Sequence, residues 1–144
     1  MKEYLIGYTT GVYDLFHIGH LNLLRRAKEM CEFLIVGVTS DELVSYKNKK
    51  AVIPFEERIQ IVQAIDCVDL AIPQTSMDKM AVWEQYHFNV MFVGDDWKNT
   101  EKWNQFEKDF EKVGVDIKYF PYTKTTSSTL INETLLKLRG VDVL

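Results

Sequence analysis

The chain has 144 residues, enough for one domain with a full hydrophobic core. Apolar residues make up 47% of it and charged residues 26%, and the formal net charge of −4 argues against a general nucleic-acid binder. No apolar run approaches membrane-spanning length, and Met1-Lys2-Glu3 leads into an apolar segment rather than a secretory leader. No membrane insertion is therefore expected. The two cysteines, Cys31 and Cys67, fall in or after apolar patterns and read as buried free thiols, as suits a reducing cytoplasm.

Tyr4–Tyr8 is a short apolar run and reads as a buried strand. Gly11–His20, Gly-Val-Tyr-Asp-Leu-Phe-His-Ile-Gly-His, follows it. From His20 to Met30 the apolar residues Leu21, Leu24, Ala27 and Met30 recur at helical spacing, with Arg25, Arg26, Lys28 and Glu29 on other faces. His17 and His20 thus stand where a strand hands over to a helix. The free N–H groups and partial positive charge of a helix start favour anions there. Two imidazoles can donate to phosphate oxygens, and Gly19 lets backbone approach a ligand. The competing reading is a capped, hydrogen-bonded pair with a structural role. A metal reading lacks further ligands nearby.

Phe33–Val38 is a near-continuous apolar run, as expected of a strand covered on both faces. Thr39 and Glu42 have capping-box spacing for a short helix. Tyr46–Lys50 then carries three lysines in four residues. It is either a solvated loop or a mobile basic arm beside a phosphate site. Pro54, Glu56 and Glu57 suit the start of a helix whose buried stripe is Phe55, Ile59, Val62 and Ile65. Arg58, on its first turns, either pairs with a glutamate or points back to the phosphates.

Val68–Ile72 is a third strand, closed by Pro73, and Thr75 or Ser76 caps a helix Met77–Tyr86. Met77, Met80 and Trp83 read as core, and His87 as a cation at that helix's C-terminus. Val90–Val93 is a fourth strand, followed at once by Gly94-Asp95-Asp96-Trp97. Ligands of open parallel sheets sit beyond the carboxyl ends of the strands, where this turn lies. Its aspartates can accept from an amine or hydroxyl, or cap the next helix, and Trp97 offers a stacking face. Trp103, Phe106, Phe110 and Val113 mark a helix ended by Gly114, and Asp116–Phe120 is a fifth strand ended by Pro121. Thr123–Thr129 then holds six hydroxyls and Lys124 before the helical pattern Leu130–Leu138. This exceeds what capping requires and reads as a second anion cradle. Strands alternating with helices predict an α/β fold with a five-stranded parallel sheet and helices on both faces, one domain over residues 1–144.

Asp14–His20 resembles the HxGH signature of the nucleotidylyltransferase superfamily. With Lys47–Lys50, Phe55–Arg58, Gly94–Trp97 and the Thr/Ser run, nearly the whole chain is similar to the small cytidylyltransferases, above all the bacterial ones that act on glycerol 3-phosphate. The resemblance implies a Rossmann-like fold, a cytoplasmic homodimer, and a reaction of CTP with a small phosphorylated alcohol that gives a CDP-alcohol and pyrophosphate. It implies His17, His20 and Lys49 as the catalytic groups. It assigns Val12, Tyr13, Asp14, Gly19, Arg58, Gly94, Asp95, Asp96 and Trp97 to the nucleotide, with Thr123, Lys124, Ser127, Ser128 and Thr129. Lys47 and Lys79 are assigned to the acceptor's phosphate. Mg²⁺ is expected on the nucleotide phosphates and water, with no protein ligand set. Two departures bear on the acceptor: Tyr122 and Asp66 stand where the family carries arginines. Another acceptor (phosphoethanolamine, phosphocholine or a polyol phosphate), an adenylyltransferase, and a non-catalytic nucleotide sensor are the alternative readings.

Overall fold

The computed structural model describes residues 2–46, 50–121 and 127–140. The chain runs β1 (Tyr4–Gly11), α1 (Ile18–Met30), β2 (Cys31–Thr39), α2 (Asp41–Tyr46), α3 (Phe55–Ala64), β3 (Leu70–Gln74), α4 (Lys79–Tyr86), β4 (Val90–Gly94), a 3-10 turn (Asp95–Trp97), α5 (Glu101–Glu111), β5 (Asp116–Phe120) and α6 (Ser128–Leu138). All strand pairs are parallel and the order is β3-β2-β1-β4-β5. The sheet grows one way from β1 to β3 and then the other way through β4 and β5. The reversal between β1 and β4 opens a crevice at the carboxyl ends of those strands.

Strand side chains alternate between the two faces, which is why β2 reads as a continuous apolar run. On one face Leu34, Val36, Val38 and Phe92 pack with Leu24 and Ala27 of α1 and Val62 of α3. On the other, Tyr8, Ile35 and Met91 meet Phe110 and Trp103 of α5 and the partly buried Met80 and Trp83 of α4. Trp103 is 5% exposed, and Trp83 and Phe106 pack against the same cluster. These aromatics pack into the core on this face, Trp83 and Phe106 only in part.

The strands follow the sequence reading with small shifts. β3 starts at Leu70 rather than Val68 and runs through Pro73 to Gln74. Pro73 pairs in register with Val38, yet β3 is an edge strand, where proline is tolerated. Ala71 donates its backbone N–H to Gln63 Oε1 at 2.8 Å, away from β2. Three caps differ from expectation. Ser40, not Thr39, accepts from Leu43 N at 3.2 Å. Asp78, not Thr75 or Ser76, accepts from Ala81 N at 3.2 Å. His87 closes α4 as a left-handed residue with φ 50° and donates its N–H to Trp83 O at 2.7 Å. Both cysteines are free, Cys31 buried and Cys67 partly so.

Candidate active site

The crevice at the switch point is a cleft of about 1010 Å³, walled by the ends of β1, β4 and β5, by α1 and by the start of α6. Its floor is the turn between β1 and α1. Two non-glycine residues there take left-handed conformations, Tyr13 (φ 55°) and Leu15 (φ 51°). Such residues cost on the order of 1–3 kcal/mol each, so the surrounding contacts must hold them. Gly11 makes room for the folded-back chain: a Cβ there would lie 2.9 Å from the Tyr13 ring. That ring is buried and its hydroxyl pKa is raised by desolvation. Its ring centroid lies 5.3 Å from that of His20, with the two rings edge to face.

His17 is the N-cap of α1, and His20 reciprocates. His17 Nδ1 accepts from Gly19 N at 3.0 Å, and His20 Nδ1 accepts from His17 N at 3.2 Å. Each neutral ring therefore carries its proton on Nε2. The rings lie 3.9 Å apart and both line the cleft. Burial, with the neighbouring His17, pushes the pKa of His20 down to about 4, and burial lowers that of His17 as well. At neutral pH the pair offers two uncharged N–H donors to the cleft. The structural reading holds through Nδ1, which builds the turn, while both rings also line the cleft. Gly19 lines the cleft too, but its N–H is engaged by His17.

Four expected ligands, Arg58, Asp14, Ser127 and Ser128, make structural ties. Arg58 is 1% exposed and does not reach towards the cleft. Its Nη1 donates to Val12 O at 2.7 Å and Thr39 O at 2.8 Å, its Nε to Ile53 O at 2.8 Å, and its Nη2 to Asp41 Oδ1 at 2.6 Å. A buried guanidinium with four bonds of this kind has no fork left for phosphate. The carboxylate of Asp14 accepts from Val52 N at 2.8 Å and Ile53 N at 3.0 Å. Its backbone carbonyl takes the Ser128 hydroxyl at 2.6 Å. Ser127 caps α6 through Leu130 N at 3.0 Å. The hydroxyls of Ser127 and Ser128 thus have local partners, although both residues and Thr129 line the cleft.

Val12, Gly94 and the half-exposed Trp97 line the cleft as expected. Asp95 and Asp96 do not: they are exposed on the first turn of the 3-10 segment, where acidic side chains complement a helix start. Lys79 is 4% exposed on the cleft wall, its Nζ 5.5 Å from the Trp103 ring and 5.6 Å from that of Phe106. Asp66 lies in the turn before β3 and does not line the cleft. Lys47, Lys49, Tyr122, Thr123 and Lys124 lie outside the described residues. The sequence reading missed Arg26, which it put on an outer face of α1. Arg26 lines the cleft with Gly19 and Asn22. The i, i+3, i+7 spacing of those three residues is the signal that marks their shared face.

Known proteins resemble this chain. The glycerol-3-phosphate cytidylyltransferase of Bacillus spizizenii is 35% identical over 131 residues, spanning 90% of this chain and 96% of that one. The glycerol-3-phosphate cytidylyltransferase of Staphylococcus aureus is 37% identical over 128 residues, spanning 88% and 92%. The crystal structure of the lipopolysaccharide core biosynthesis protein from Thermoplasma volcanium superposes with a TM-score of 0.71 at 24% identity, covering 85% of this chain and 99% of that one, a likeness of fold. Residues 8–134, from within β1 into α6 and so around the entire cleft, match the cytidylyltransferase-like family, and the chain belongs to that family.

Proposed function

We propose that this protein is a nucleotidyltransferase that joins CTP and glycerol 3-phosphate to give CDP-glycerol and pyrophosphate. A phosphate oxygen of the acceptor is already ionised at neutral pH and needs no general base. It attacks the α-phosphorus of CTP in line. The bond from that phosphorus to the bridging oxygen breaks, and its electron pair leaves with pyrophosphate. The protein's part is positioning and charge stabilisation.

The observation that carries this reading is the reciprocal histidine cap. It holds two rings 3.9 Å apart on the cleft wall with both Nδ1 atoms occupied, which supports Nε2–H donation to oxygens that gain charge in the transition state. Lys49 is assigned to the leaving pyrophosphate and Lys47 to the acceptor's phosphate. Lys79, buried on the cleft wall, supports a second acceptor contact. Among the described residues no three carboxylates, imidazoles or thiols gather as a metal ligand set. Mg²⁺ is assigned to the nucleotide phosphates and water, where it would offset phosphate charge. The glycerol-3-phosphate relatives, covered almost end to end, support the acceptor.

The reading includes a cytoplasmic homodimer. Free cysteines support a reducing compartment, and no helix among the described residues is long and apolar enough to cross a membrane. The exposed Leu130, Leu135 and Leu138 of α6 support a surface for a second copy. Light scattering tests the dimer. The decisive experiment measures pyrophosphate release from CTP and from ATP with both glycerol phosphate enantiomers, phosphoethanolamine, phosphocholine and ribitol phosphate. CTP with one glycerol phosphate enantiomer is expected to dominate. Preference for ATP, or release with no acceptor, overturns the assignment.

A further inference from the structure

The two halves of the cleft differ in chemistry. The histidine turn follows β1, so the imidazoles stand at the β1 end of the cleft. Over the β4–β5 half stand Trp97, 47% exposed beyond β4, and Phe120 at the end of β5. Aromatic faces suit a base, not a triphosphate. One cation intrudes there. Arg26, exposed on α1, lays its guanidinium over the Phe120 ring with Cζ 4.8 Å from the centroid. Among the described residues the ion pairs are Lys28–Asp69 and Arg58–Asp41, and Arg26 belongs to neither. Its contact with the ring holds near Phe120 a fork of N–H donors that enters no ion pair among the described residues.

We propose that Arg26, held over Phe120, is a specificity-determining residue that reads cytosine by donating to its adjacent O2 and N3 acceptors. The inference rests on the reading that the cleft takes CTP. Arg26 lies six residues along α1 from His20, which is about 9 Å at the helical rise per residue. That is roughly the reach from an α-phosphorus held at the imidazoles to the pairing edge of its own base. Cytosine offers two neighbouring acceptors, which match two parallel N–H groups. Uracil carries a proton on N3, which meets an N–H of the fork head on. Adenine has no such pair of acceptors. The fork, not the charge, makes the distinction, so lysine cannot replace it.

The experiment measures equilibrium binding of CTP, UTP and ATP by titration calorimetry, and pyrophosphate release in parallel. It uses the full chain as wild type, Arg26→Lys and Arg26→Gln. Wild type is expected to prefer CTP over UTP. Arg26→Lys should reduce that preference by about tenfold or more, the usual scale for losing one bidentate base contact. ATP binding and the circular dichroism spectrum should stay unchanged. Arg26→Gln can donate to O2 and accept from a protonated N3, and should move the ratio furthest towards UTP. An unaltered CTP-to-UTP ratio overturns the proposal. So does an equal loss for all three nucleotides that lysine restores, because that is the mark of a phosphate contact. The two readings fail separately. CTP-selective binding without pyrophosphate release defeats the proposed reaction while Arg26 is still judged from binding. Turnover with CTP and an unchanged ratio in the variants defeats Arg26 alone.

Discussion

Arg58 and Asp41 meet at 2.6 Å between Nη2 and Oδ1, but the side chain of Arg58 is wholly buried while that of Asp41 is 47% exposed. The pair works from one side. Arg58 gathers carbonyls from the ends of β1 and β2 and from the segment after the lysine run, and Asp41 anchors it at the rim. The backbone N–H of Phe55, and next to it the Arg58 guanidinium, hold the Asp41 carboxyl below the usual carboxylate range. Arg58→Met should leave the carbonyls of Val12, Thr39 and Ile53 without their donor. We expect a loss of about 3 kcal/mol or more in urea unfolding, since each buried acceptor left bare costs about 1–3 kcal/mol. Asp41→Asn turns one of two accepting oxygens into a donor facing Phe55 N or Arg58 Nη2 and should cost about 1–2 kcal/mol, less than Arg58→Met.

The two ring nitrogens of His17 have different tasks, and asparagine separates them. In His17→Asn the shorter side chain would keep a cap acceptor near the position of Nδ1 and remove the Nε2–H donor. This variant should unfold within about 0.5 kcal/mol of wild type yet turn over about 100- to 1000-fold more slowly. His17→Ala should lose the same turnover and, in addition, about 1 kcal/mol of stability. Thermal unfolding beside steady-state kinetics separates the outcomes. Equal destabilisation by both variants would show that asparagine does not cap here.

The depressed pKa of His20 makes stability depend on pH in a defined window. The folded chain keeps the ring neutral down to about 4, whereas the unfolded chain takes up a proton near the ordinary histidine value of about 6.5. Between those values the unfolded state binds more protons. Its contribution to stability is therefore intact above about 6.5 and declines as pH falls towards 4. In His20→Asn this part of the decline should vanish. Urea midpoints taken across the window for the two proteins give the comparison, and parallel curves would rule the contribution out.

Asp14 joins the histidine turn to the segment after the lysine run. Asp14→Asn turns one accepting oxygen into a donor facing the N–H of Val52 or Ile53. A loss of about 1–2 kcal/mol is expected. KM for CTP should rise more than kcat falls, because the Val52–Ile53 segment at the rim loses an anchor while the imidazoles keep their own cap. A pure kcat effect would place Asp14 in the chemistry instead.

The parallel sheet was legible because strands covered on both faces leave continuous apolar runs, and Asp116–Phe120 matches β5 residue for residue. The start of β3 was not, because Val68 is buried in a turn and only looks like strand. Caps were hard to assign because several hydroxyls and carboxylates stood within reach of each helix start. At the site, sequence identified the histidines and Trp97 from residue type and place. It could not tell that Arg58 and Asp14 face inward, because a buried polar group reveals its partners only once distant loops are brought together. It also missed Arg26, since a charged helical position reads as solvent-facing unless the opposite wall is known.

The outer rim of β3 carries a last consequence. Gln74 bonds inward to the chain after β2, so by alternation Ala71 and Pro73 turn away from the sheet. A stranger strand seeking to extend the sheet there finds one amide already taken by Gln63 and, at Pro73, no amide at all. Edges blunted in this way resist runaway association between chains. The proline thus helps keep concentrated protein in solution, a service to the folded molecule that has nothing to do with its nucleotide.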